Sequence, residues 1–147
     1  MNPNDPAVVS HMSLLQAIIT RLAGNSAQCK TWCLTLVSAL IAFAGAAHSV
    51  GAIELSILPI VMFLLLDAAY LGNEKEYRDL FGEVRAKLRT GDYCNNDLFK
   101  MEAKLTSEAF LESLKSWAIY IFYYPLIGIY IIVICNPGLA KALASVR

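Results

Sequence analysis

The chain has 147 residues, 57% of them hydrophobic and 16% charged, with twelve Lys plus Arg set against twelve Asp plus Glu and a positive mean hydropathy. A single soluble domain of this size has no use for so much apolar surface, and zero net charge excludes a global attraction for nucleic acid or acidic partners. Lipid resolves the excess. Residues 31–50, 52–72 and 116–135 are almost wholly apolar, and at ~1.5 Å per helical residue each reaches across roughly 30 Å of hydrocarbon. The expectation is an all-α integral membrane protein with three transmembrane helices plus an N-terminal amphipathic helix and a cytoplasmic helical hairpin.

Residues 1–8 carry two prolines and little to bury, and read as a short disordered arm. From His11 to Leu22 the apolar residues Met12, Leu14, Leu15, Ile18, Ile19 and Leu22 recur at helical spacing. They predict an amphipathic helix lying on the membrane or on the rest of the protein. A Gly24-Asn25-Ser26 turn is expected to end it, with Ser26 capping the next helix. Residues 1–30 form this first segment.

The transmembrane hairpin, 31–72, follows. Its first span runs from about Thr31 to Ser49 and is rich in Ala39, Ala42, Ala44, Gly45, Ala46 and Ala47, small residues that let helices approach closely. It starts too far along the chain to read as a cleaved signal sequence. The connection at Ser49-Val50-Gly51 allows only a tight turn, so the second span, from about Ile53 to Leu71, is its antiparallel neighbour.

Beyond Gly72 the chain becomes charged, yet Tyr77, Phe81, Val84 and Leu88 keep a helical apolar spacing, and Glu74 with Arg78, Lys75 with Asp79 and Glu83 with Lys87 place opposite charges four apart. The second span is therefore expected to continue as a soluble helix to about Thr90 and to break at Thr90-Gly91-Asp92. Asp97 is read as the cap of a returning helix with Leu98, Met101, Leu105 and Leu111 on its apolar face. The two would form a cytoplasmic helical hairpin over 73–115. The last segment, 116–147, holds the third span, Ser116 to Cys135, which opens on the aromatic cluster Trp117, Tyr120, Tyr123 and Tyr124. Pro125 and Gly128 are its kink positions, and Asn136-Pro137-Gly138 stops it. Residues 73–115 carry eight Lys and Arg, the chain through Lys30 two, the first connection none and the tail two. The excess of positive charge on cytoplasmic segments places the N-terminus and 73–115 in the cytoplasm.

No cofactor or catalytic signature is present: there is no phosphate-binding glycine loop, no nucleophile set with His and a carboxylate, and no HExxH. Cys29, Cys33, Cys94 and Cys135 lack the spacing of a zinc site. No enzyme is expected. Asp67 is the most informative residue, an ionisable group about one turn inside the end of the second span. It reads either as one member of a cation-attracting ring at the inner mouth of a pore or as a carboxylate paired with Lys30 or Lys75. Thr31, Thr35, Ser38, Ala42, Gly45 and Ser49 fall on one stripe of the first span, which lines a narrow wet path or forms a packing seam. Thr35, Ser38 and Asp67 are the candidate pore-lining residues. Arg85, Lys87 and Arg89 are the one local basic cluster, a candidate site for a phosphate-bearing ligand or simply a solvated face.

The run His11-Met12-Ser13-Leu14-Leu15-Gln16-Ala17-Ile18-Ile19-Thr20-Arg21-Leu22-Ala23-Gly24-Asn25-Ser26, then Lys30-Thr31-Trp32, then Leu66-Asp67-Ala68-Ala69-Tyr70-Leu71 with Glu74-Lys75-Glu76-Tyr77-Arg78, resembles SLATT-like small bacterial membrane effectors of anti-phage defence, the Hailong type among them. The resemblance covers about residues 11–80. It implies a homo-oligomeric ion channel of the bacterial inner membrane, a tetramer, shut until infection and then opened to depolarise the cell. For the Hailong type it further implies a DNA oligomer or nucleotide signal, made by a partner nucleotidyltransferase, bound on the cytoplasmic side. The third span departs from the two-span plan of that family.

Overall fold

The computed structural model describes residues 5–145, and among these the chain is helical with no strand. Helix α1 spans Pro6–Ala47, α2 Val50–Leu55, α3 Ile57–Thr90, α4 Ser107–Leu114, α5 Trp117–Cys135 and α6 Pro137–Ser145, with a single 3₁₀ turn at Asn95–Asp97. Three stretches are long and apolar enough to cross a membrane: Pro6–Ala47, Val50–Thr90 and Trp117–Cys135. Their outward surface carries Trp32, Leu34, Phe43, Leu58, Met62, Ile121, Ile129 and Ile132, the side chains that lipid would solvate.

α1 begins inside the segment expected to be an arm. The Asp5 carboxylate accepts from the Ala7 N–H at 3.0 Å, and Pro6 occupies the first turn, where its missing N–H is not needed. Val8 is buried with Leu15, Leu80 and Val84, which ties the start of the helix down. Residues 1–4 of the expected arm lie outside the described residues.

The turn expected at Gly24-Asn25-Ser26 is absent, and the amphipathic helix and first span form one continuous rod. The reason lies in the pattern of buried residues. Ser26, Cys29, Cys33, Val37 and Ala44 repeat Val8, His11, Leu15, Ile19 and Ser26 after eighteen residues, which is five whole turns at 3.6 residues each. One face therefore stays buried along the full 42 residues, on α3 for most of that length and against Ala52 and Ile53 of α2 at Ala44. A glycine inside a helix costs only about 1 kcal/mol relative to alanine, too little to interrupt that burial.

α3 runs antiparallel to α1. Val8 and Leu15 share one cluster with Leu80 and Val84, Ser26 meets Asp67, and Cys33 and Val37 share a second cluster with Ile60 and Ala68. As expected from sequence, α3 continues past the end of its apolar run to Thr90, where Gly91 adopts the left-handed conformation (φ 84°) and closes the helix. Its charged half packs on α1 and meets a returning helix only at its start, where Lys75 stands near Glu112 and Glu76 accepts from Thr106. No α-helix starts at Asp97: residues 98–106 form an irregular strap across the α1–α3 pair, with Leu98, Met101 and Ala103 packed against the Leu15, Leu80 and Val84 cluster. The backbone of the strap is partly satisfied from outside, since Tyr77 Oη donates to the Met101 carbonyl at 3.2 Å. The return to helix comes at Thr106, whose hydroxyl accepts from the Ala109 N–H at 3.1 Å.

α4 crosses α3 at Gly72, where an added Cβ would stand 2.5 Å from Leu105 Cδ1 and 3.4 Å from the Ala109 carbonyl oxygen. α5 lays Ile119 and Tyr123 into the cluster with Cys33, Val37, Ile60 and Ala68. Asn136 ends α5, and Pro137 then opens α6 within the segment expected to be tail. α6 folds back over the far end of the bundle, with Leu143 against Ala44, Ala52, Ile53, Val133 and Ile134.

Candidate functional site

Where the apolar and charged halves of α1 and α3 meet, three polar side chains face one another inside the protomer. Lys30 Nζ lies 2.5 Å from Asp67 Oδ2 and 3.2 Å from Ser26 Oγ, and Ser26 Oγ donates to Asp67 Oδ1 at 2.5 Å. Both carboxylate oxygens are thus occupied, and the serine hydroxyl donates to one partner while accepting from the other. Asp67 is fully buried and the Lys30 side chain is 21% exposed. A carboxylate at this depth is tolerated only when it is paired. The helical periodicity of α1 brings Ser26 and Lys30, four apart, to bear on one acid of α3. Lys30 is one of the two partners weighed from sequence; the other, Lys75, instead stands 3.8 Å from Glu112 of α4. The participation of Ser26 was missed, because its position after Gly24-Asn25 reads as a cap.

The pore-lining candidates do not converge. Asp67 points into the protomer, whereas Thr31, Thr35, Ser38 and Ala42 are exposed on α1, away from the Cys29, Cys33 and Val37 face that packs on α3. A ring of Asp67 carboxylates around an axis between copies does not fit this orientation, and Asp67 is corrected to a buried partner of Lys30. The hydroxyls of Thr31 and Thr35 donate to the carbonyls of Ala27 and Thr31 at 3.2 and 2.8 Å. Cys29 and Cys33 are buried and free.

The basic cluster is likewise divided. Arg85 and Arg89 are exposed on one side of α3, while Lys87 turns to the 3₁₀ turn and places Nζ 2.5 Å from Asp97 Oδ1. Asp97 also accepts from the backbone N–H and the thiol of Cys94, each at 3.2 Å. The Lys87 ammonium, followed by the Cys94 donors, holds the Asp97 carboxyl down at about 2, and hydrogen bonding to Asp97 raises Lys87. A depressed carboxyl stabilises the folded state fully above its ordinary value of 3.8 and loses that contribution as pH falls through about 2. Lys87→Gln should therefore move the Asp97 titration, followed by carboxyl NMR, back toward 3.8. An unchanged midpoint would remove Lys87 as the cause.

A second buried polar centre fastens the strap to α1. His11 has no solvent exposure; its Nδ1 lies 2.8 Å from Tyr93 Oη and its Nε2 3.2 Å from the Lys100 carbonyl, and its ring stands 5.9 Å from that of Phe99. Phe99 is left-handed (φ 58°), a conformation unusual for a bulky residue. No local pattern marks His11, because its partners are more than eighty residues away. Among the described residues no group of His, Cys, Asp and Glu is arranged to hold a metal. Comparison with protein-family models, curated proteins and solved structures gave no match.

Proposed function

We propose that copies of this chain assemble in the bacterial inner membrane into an ion channel effector of anti-phage defence, shut at rest and opened to depolarise the cell. The supporting observation is the direction of the α1 stripe. Thr31, Thr35 and Ser38 turn hydroxyls away from their own bundle at the depth of the apolar half, and a three-span protomer encloses no conduit, so a wet path has to form between copies. Four copies would bring four such stripes around one axis. The eight Lys and Arg of residues 73–115 support a cytoplasmic position for the charged half and the strap. Exposed Arg85 and Arg89 are there the groups open to a phosphate-bearing signal, a nucleotide or DNA oligomer from a partner nucleotidyltransferase, while Lys87 is committed to Asp97.

Planar-bilayer recording of purified protein tests this. With exposed Cys94 and Cys135 replaced by serine, Ser38→Cys should give a current that a charged, water-soluble thiol reagent reduces at least several-fold. No current with any nucleotide or oligonucleotide, together with a monomer by mass, would replace the channel with a non-conducting membrane anchor. That second reading has its own support: the Thr31 and Thr35 hydroxyls are already bonded within their helix, as in a dry seam. Large unselective currents without ligand would indicate a holin-like lesion former instead.

A further inference from the structure

We infer that α4 and the adjoining Leu105 lie flat in the boundary between headgroups and acyl chains, so that lipid, and not water or another subunit, is the partner of their exposed apolar face. The inference rests on α3 and α5 as membrane-spanning helices and is independent of conduction.

α4 has three distinct sides. Ala109 and Ser113 face Gly72 of α3 at close range, with Ser113 fully buried. Glu108, Glu112 and Lys115 form an exposed charged side. Between these lie Phe110, Leu111 and Leu114; Phe110 and Leu114 are partly buried against the main core, but Leu111 is 57% exposed. Leu105, Phe110 and Leu111 line a shallow pocket of about 360 Å³ with the small residues Thr106 and Ser107. In water such a surface would be left without a partner.

Three observations place that surface at a bilayer boundary. Gly72, the crossing point, directly follows Leu71, the last residue of the apolar run of α3. The chain enters α5 only two residues after Leu114, through Lys115 and Ser116, so the apolar face of α4 is continuous with a span. That span opens on Trp117, 72% exposed, with Tyr120 and Tyr124 also exposed, the residue types that sit at headgroup level. A helix with separated apolar and charged sides at this depth has the layout of an in-plane interfacial element.

The test is site-directed labelling in vesicles of phosphatidylcholine and phosphatidylglycerol, with Cys94 and Cys135 replaced by serine. Leu111→Cys, Ile129→Cys and Arg89→Cys are each given an environment-sensitive fluorophore. Lipid bearing a nitroxide near the headgroup should quench the label at 111 at least about twofold more than the label at 89, while aqueous iodide should show the reverse order. If lipid carrying the nitroxide deep in its acyl chain quenches 129 while 111 responds only to iodide, α4 stands in water and the inference fails. If 129 escapes that acyl-chain quencher, the spanning assignment itself falls and takes this inference with it. A disulfide between copies through Leu111→Cys, with no lipid quenching, would make the face a subunit contact and likewise overturn it.

Discussion

Lys30→Met should lower the stability of the protein by about 3 kcal/mol, and combining it with Asp67→Leu should restore most of that loss. The asymmetry follows from burial. Removing the ammonium leaves a fully buried carboxylate with Ser26 alone as partner, whereas removing both charges leaves an apolar contact in which only the Ser26 hydroxyl needs a new acceptor, and a helical serine can bond the carbonyl one turn back. Unfolding by sodium dodecyl sulfate in detergent micelles, followed by circular dichroism, reads the difference. A double variant as unstable as Lys30→Met alone would show that the pair does not act as a unit.

His11→Ala should release the strap without dissolving the α1–α3 pair. The substitution removes the bonds to Tyr93 Oη and the Lys100 carbonyl and opens space in a buried site, at a cost of roughly 2–4 kcal/mol. Local opening of that size exposes the backbone around Lys100 and Lys104, both on the surface. Trypsin should therefore cut after these two lysines at least tenfold faster in the variant, with cleavage after Arg85 and Arg89 on α3 little changed. Equal rates at Lys100 in the two proteins would show that the histidine does not hold the strap.

The three apolar helices, the extension of α3 to Thr90 and its Gly91 stop were legible because each depends on short-range pattern alone. The errors arose where distant contacts outweighed local chemistry. Gly24-Asn25-Ser26 has turn composition, but burial on α3 at eighteen-residue intervals carries the helix through it; that periodicity was present in the sequence, masked by polar members such as His11 and Ser26. Asp97 has the form of a cap, yet its carboxylate is taken by Lys87 and Cys94, and Leu98 and Met101 pack half-buried on the cluster without a helix. At the site, Lys30 could be named as a partner for Asp67 because both lie near the same end of the spans. The side on which Thr35 and Ser38 emerge was not readable, since spacing defines a stripe but only the neighbouring helix decides which way it looks.

The joint between Lys30 and Asp67 sits partway along one unbroken helix that is packed on its neighbours on both sides of the joint. Taking ~1.5 Å per residue, about 36 Å of α1 runs from Pro6 to the joint and about 26 Å from the joint to Ala47. With no break between its ends, a displacement of α1 along its axis near His11 would arrive undiminished at Ala47, and the charge pair would have to slide with it.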